Sequence, residues 1–333
     1  MITTFFIASA LAQSPEIQVD LHLDTPTQML TKGLHLDAAT GLEASKTRLE
    51  QGGTNVAIQV LWPPRKSDHK KRAFSLLELV EREIRRDSGL VLAKEPADVA
   101  RAATAGKMAI LVSMEGAHGL GKDADWSGVF EQFYDRGLRL LGITWSFSNR
   151  FAGSSGDQGG GLTEEGRALV QRARERRVIL DVSHASRQTT MEICRDSPHP
   201  VIASHSNAHA LRGHARNLTD DEIRCIAASG GVIGLNFHAT FVGGVNGGSA
   251  DVSRVADHAE YLASIGGHGV VALGSDFDGY IKKPIGLEDA SKVPLLWAEL
   301  RSRGWSDAQI KGVRGANFMR AWKAIRGDTK GKQ

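Results

Sequence analysis

Eight short apolar runs recur along the chain, separated by longer stretches in which apolar residues fall three and four apart. The runs are I-Q-V-D-L-H-L, T-N-V-A-I-Q-V-L, M-A-I-L-V-S-M, L-R-L-L-G-I-T, V-I-L-D-V-S, P-V-I-A-S, G-V-I-G-L-N-F and V-V-A-L-G-S. Being apolar on both faces, they read as strands covered by helices on both sides. A-F-S-L-L-E-L-V-E-R-E-I-R-R and G-L-T-E-E-G-R-A-L-V-Q-R-A-R-E-R-R have one apolar face and one charged face, as helices lying on such a sheet do. Thr163 is placed to cap the second of these, with Glu164 and Glu165 in the first turn, where the helix dipole favours them. Eight strand-helix units predict an α/β protein closed as a (β/α)8 TIM-like barrel. The alternative is an open doubly wound sheet with a nucleotide at its switch point. Against it, the Gly-rich S-S-G-D-Q-G-G-G-L has neither the G-x-G-x-x-G nor the Walker spacing. No repeat or linker divides the chain, so one catalytic domain is expected over residues 15–326, with a polar tail at 327–333. F-V-G-G-V-N-G-G-S, residues 241–249, is expected to be a flexible loop after the seventh strand.

Composition narrows the class without changing this picture. A chain of 333 residues, 41% hydrophobic and 24% charged, suits one barrel with insertions. The net charge of +3 is small and its basic residues are scattered, which argues against a nucleic-acid partner; the cluster from Arg65 to Arg72 reads as a solvated face. Residues 1–14 read as the remnant of a signal peptide, implying a periplasmic or secreted protein, or as a disordered tail on a cytoplasmic one. No run has the roughly 18 apolar residues of a membrane span, and the C-terminal R-G-D-T-K-G-K-Q has no hydrophobic anchor tail. Cys194 and Cys225 have no C-x-x-C spacing, and whether they pair is left open.

In a barrel of this kind the chemistry sits where strands end. The first run carries His22 and Asp24, two apart and therefore on one face of a strand; the third leads into Glu115, the fifth into His184, the sixth into His205 and the eighth into Asp276. Taken singly, each reads as a hydrogen-bonded strand end or a turn cap. Gathered on one rim, three histidines and two or three carboxylates exceed what one zinc with an open position uses, and they suit two zincs sharing a carboxylate. Paired cations of this kind activate water and polarise a carbonyl, which is the chemistry of hydrolysis.

These residues lie in motifs that resemble the membrane (renal) dipeptidases, a branch of the amidohydrolase-like barrels with a binuclear zinc site. The similarity runs from about Val19 to about Trp322, through D-L-H-L-D-T-P, S-M-E-G-A-H, G-L-T-E-E-G-R, I-L-D-V-S-H-A-S, I-A-S-H-S-N-A, R-N-L-T-D-D, G-S-D-F-D-G and G-A-N-F-M-R-A-W. The resemblance implies Zn2+, two per chain, with His22, Asp24 and Glu115 on one ion and Glu115, His184 and His205 on the other. It further implies hydrolysis of dipeptides by a metal-bridging hydroxide, with Asp276 as proton shuttle and Arg216 binding substrate near the metals. Where the family ends its fourth strand in a histidine, this chain has Trp145, whose indole can donate one hydrogen bond but carries no charge. Trp145 and the nearby Asn149 are therefore assigned to the substrate pocket, and His118 and His209 to supporting roles. The expected partner is a dipeptide; a homodimer is left open. The alternatives are hydrolysis of another small amide on the same site, such as an N-acyl or D-amino acid amide or a lactam, and metal binding without turnover.

Overall fold

The computed structural model describes residues 16–195, 197–244 and 249–327. Residues 1–14 and nearly all of the polar tail lie outside that range, as does the middle of the 241–249 loop, whose first two residues instead close a short helix, Ala239–Val242. The described residues form eight named strands: β1 (Val19–Leu23), β2 (Val56–Leu61), β3 (Leu90–Leu92), β4 (Met108–Met114), β5 (Leu138–Gly142), β6 (Ile179–Asp181), β7 (Ile233–Leu235) and β8 (Val271–Leu273). All named pairings are parallel, in the order β1-β2-β4-β5-β6 and β7-β8. The P-V-I-A-S run supplies the missing stave through single parallel bridges, Ile202 to Asp181 and Ala203 to Ile233. Leu23 bridges Phe277, and Asp276 N donates to His22 O at 3.1 Å, so the ring closes at the top. Each of the eight predicted runs is thus a stave. β3 is an addition: it pairs only with the first half of β4, Leu90 opposite Met108, and stands outside the ring order.

Two packed layers follow from the alternation of each strand. Val19, Leu21, Val56, Ile58, Ala109, Leu111, Leu140, Ile179, Ile202 and Ala272 form the barrel interior. Phe318 and Trp322, from the C-terminal helix Asn317–Arg326, plug that interior. Residues of the other parity, among them Ala57, Leu61, Ile110, Val112 and Leu180, pack outward against helices such as His69–Arg86 and Glu164–Glu175. Thr163 accepts from Gly166 N, the cap expected from sequence. Among the described residues no helix is long and apolar enough to cross a membrane.

Candidate metal and substrate site

Position in β1 depends on one extra residue. Asp20 lies opposite Ala57 but Leu23 opposite Gln59, so three steps along β1 match two along β2. This bulge reverses the parity: Val19 and Leu21 face the interior below it, whereas above it Leu23 packs outward and His22 and Asp24 face the site. Asp24 then opens the helix Thr25–Lys32 without spending its side chain as a cap. Glu115 continues the inward parity of Ala109 and Leu111 from β4. Gly116 follows at φ 88°, where a Cβ would lie 2.3 Å from His118 Nδ1; only glycine turns the chain there. His184 and Asp276 both have left-handed backbones, at φ 68° and 65°. Non-glycine residues rarely hold that conformation, and it turns each side chain off the end of its stave into the mouth of the barrel.

The five predicted metal-site residues and Asp276 are all buried and brought together. Glu115 Oε1 is the centre: it lies 2.9 Å from His184 Nε2, 3.5 Å from His205 Nε2 and 3.6 Å from His22 Nε2. His22 Nε2 is also 3.6 Å from Asp24 Oδ2, and His184 Nε2 is 3.0 Å from His205 Nε2. Donor atoms of His22, Glu115 and His205, and those of His22, Asp24 and Asp276, converge within 4.8 Å of one another. The far nitrogens are held. Ser204 Oγ, 2.5 Å from Asp181 Oδ2, donates there and so receives the Nδ1 protons of His205 (2.8 Å) and His22 (3.3 Å). That leaves the lone pair of His205 on Nε2, facing Glu115. Ser146 Oγ holds His184 Nδ1 at 3.1 Å. Among the described residues, His22 Nε2 and Asp24 Oδ1 are buried without a hydrogen-bond partner. Buried orphans among nitrogen and oxygen donors, with no thiolate, fit divalent cations of the zinc type.

Charge is balanced under strain. Burial opposes the charged form of His22, but Glu115, Asp24 and Asp276 outweigh it and raise its pKa to about 10. Burial raises Glu115 well above the carboxylate range and Asp276 to about 8, and it lowers His184 and His205 well below the usual imidazole value. In protein stripped of metal, His22 and Asp276 therefore keep protons that the unfolded chain releases at about 6.5 and 3.8. The native state binds more protons than the unfolded chain between about pH 6.5 and 8, so stability falls as pH rises through that window. His184 and His205, neutral in the native state, are half protonated in the unfolded chain at about pH 6.5 and so offset part of this only at the lower edge of the window. Urea unfolding of the metal-free protein is expected to show a midpoint that falls across this window; a midpoint that rises would contradict the arrangement.

A cavity of about 250 Å³ opens above Glu115, lined by Asp24, His184, Asp276, Trp62, Trp145, Ser146, His238, Phe241 and Tyr280 among others. Trp145 is on its wall. Asn149 is not: its amide donates to Ile143 O at 2.8 Å and accepts from Phe151 N and Ala152 N, holding its own loop. Arg216 is buried beside the site rather than on this wall, donating to His205 O at 3.0 Å, with its guanidinium 5.6 Å from the Phe241 ring. The Gly-rich segment supports His184: Ser154 bridges Ala185, and Ser155 N donates to His184 O. His118 donates to or accepts nothing at the centre; its Nε2 meets Pro63 O. Asp278, the second aspartate of G-S-D-F-D-G, is turned away and accepts from Thr25 Oγ1, Glu43 N and Ala44 N. Sequence reasoning missed Trp62, His238, Phe241 and Tyr280, and also the Asp181–Ser204 pair. For the pair a signal existed, an acid inside the apolar run V-I-L-D-V-S.

Comparison with known proteins bears on the family and the fold. A model of the membrane dipeptidase family, peptidase family M19, matches residues 8–332. The chain is 35% identical over 240 residues to dipeptidase verJ of Clonostachys rogersoniana, covering 71% of this chain and 60% of that protein. It is 34% identical over 218 residues to dipeptidase aclJ of Aspergillus oryzae, covering 65% and 51%. The matches thus span between about half and three fifths of these curated relatives. A crystal structure of a metallo peptidase from Rhodobacter sphaeroides, liganded with a phosphinate mimic of the dipeptide L-Ala-D-Ala, superposes with a TM-score of 0.85 at 26% identity. It covers 93% of this chain and 99% of that one.

Proposed function

The chain belongs to the membrane dipeptidase family, peptidase family M19, and from that premise we propose that it is a zinc-dependent dipeptidase. The observation that carries the reading is a single carboxylate, Glu115, reached by three imidazole nitrogens beneath a cavity of dipeptide size. His22, Asp24 and Glu115 would hold one ion, and Glu115, His184 and His205 the other. When bound, the two ions supply Lewis acidity toward the scissile carbonyl and a water that ionises near neutral pH.

The chain's own residues do the rest. Asp276 sits at the cavity floor with Asn236 Nδ2 donating to its Oδ2 at 3.0 Å, which fixes the carboxyl and leaves the other oxygen free to face substrate. It takes the proton of the attacking water and delivers it to the departing amine. The buried Arg216 draws the free carboxylate of the substrate toward the His238 and Phe241 end of the cavity by its field. The free amine is drawn to the acidic floor. Recognition of both charged ends selects dipeptides over longer chains.

Asp181, through Ser204, fixes the tautomer of His205 and steadies His22. Asp181→Asn is expected to weaken zinc binding about 10- to 100-fold with the fold intact, read by competition with a chromophoric chelator; unchanged affinity would remove this role. The activity itself is tested by release of amino acids from L,L and L,D dipeptides before and after chelation. Cleavage that stops with chelator and returns with zinc supports the reading. Cleavage of N-acetylated dipeptides at the same rate would instead favour an acyl-amide hydrolase, because no free amine is then needed.

A further inference from the structure

We infer that the cavity carries an aromatic subsite for the side chain of the substrate's N-terminal residue, and that this residue is apolar and large. The inference rests on the dipeptidase reading and names its substrate class. The cavity has two unlike ends. On the side of β1, β2, β4 and β5 stand Asp24, Trp62, Glu115 and Trp145; from the β7 side come His238 and Phe241, with Arg216 behind them. The substrate carboxylate goes to the Arg216 end. The amino end then lies over the acidic floor on the Asp24 side, and the side chain beside that amine meets Trp62 and Trp145.

Those rings form a continuous wall. Trp62 and Trp145 have centroids 5.1 Å apart at 60°, and Tyr280 extends the wall 6.3 Å from Trp62. Trp145 is also edge-on to Phe147 at 5.8 Å and reaches His184 at 6.2 Å, so it spans from the wall to the chemistry. Asp24 and Glu115 stand at the foot of this wall, Arg72 lies near Tyr280 and Arg65 is stacked 5.4 Å from Phe147 behind it, but the surface the wall offers is made of the rings themselves. Tyr280 is 64% exposed, an aromatic ring left at the cavity mouth with one face free. Apolar rings that stay half in water gain by being covered, so a large apolar side chain is selected over a small or charged one.

The test is kcat/KM of the zinc-loaded full chain on Phe-Ala, Leu-Ala, Gly-Ala, Glu-Ala and Lys-Ala, with Ala-Phe and Ala-Gly as the reversed controls. Phe-Ala and Leu-Ala are expected to exceed Gly-Ala by about 10- to 100-fold, mostly in KM, and Ala-Phe to show no such gain over Ala-Gly. In Trp145→Ala the contrast between Phe-Ala and Gly-Ala should collapse with zinc content unchanged, and Trp62→Ala provides the same reading if that variant does not fold. Equal rates across the panel, a preference for Glu-Ala or Lys-Ala, or a larger gain for Ala-Phe would overturn the subsite while leaving the dipeptidase reading in place. Failure to cleave any member would overturn both.

Discussion

Glu115→Gln is expected to lower dipeptide turnover by at least about 10³-fold and to leave the protein with less zinc than the unaltered chain. Glu115 Oε1 lies within 3.6 Å of all three histidine Nε2 atoms. Glutamine keeps the shape but removes the negative charge and replaces one acceptor by an NH2 group, which can only donate toward nitrogens that must themselves present lone pairs. Losing the Lewis acidity of even one ion forfeits several kcal/mol of transition-state stabilisation, and about 1.4 kcal/mol is tenfold in rate. The fold should persist, because the staves are held by their own ladder and by apolar packing on both faces. Metal analysis beside steady-state kinetics checks both halves. A variant with full zinc and full turnover would show that Glu115 does not join the two halves of the site.

Asp276→Asn separates proton transfer from metal binding. Asp276 is anchored by Asn236 at 3.0 Å and lies at the floor of the cavity, and its backbone is held at φ 65° by the closing turn after β8. An amide there can be positioned but cannot take up and release a proton, so kcat is expected to fall by about 10²- to 10⁴-fold. Zinc content and KM should change little, and the limb of the pH-rate profile that reports this carboxyl should vanish. Normal kcat with the limb preserved would assign the proton transfer to another group. Loss of zinc would instead make Asp276 a ligand, which its place in the His22–Asp24–Asp276 donor group also allows.

Much of the architecture was legible because an apolar run between amphipathic helices has few other places to go. The staves at 56–61 and 108–114 pair without a break, as runs buried on both faces should. β3 was not legible: L-V-L is three residues long and is ordered by the edge of β4 rather than by its own pattern. The 200–204 run is a stave without a regular ladder, and nothing in its composition says so. The bulge in β1 depends on register against β2, information that no single strand contains, although it decides which face His22 and Asp24 occupy.

For the site, polar residues that terminate apolar runs stood out, and the structure gathers His22, Asp24, Glu115, His184, His205 and Asp276. Trp62 and Phe241 did not stand out, because an aromatic at a strand or helix end reads as core. Asn149 was assigned from its nearness in sequence to Trp145, but an amide in a loop is as readily consumed by backbone, and here it is.

The most direct measurement is a zinc titration of the metal-free protein, with hydrolysis of one dipeptide followed in the same cuvette. The account predicts no cleavage without metal and an activity plateau at about two zincs per chain. A plateau at one zinc per chain, or cleavage by protein that binds none, would contradict it.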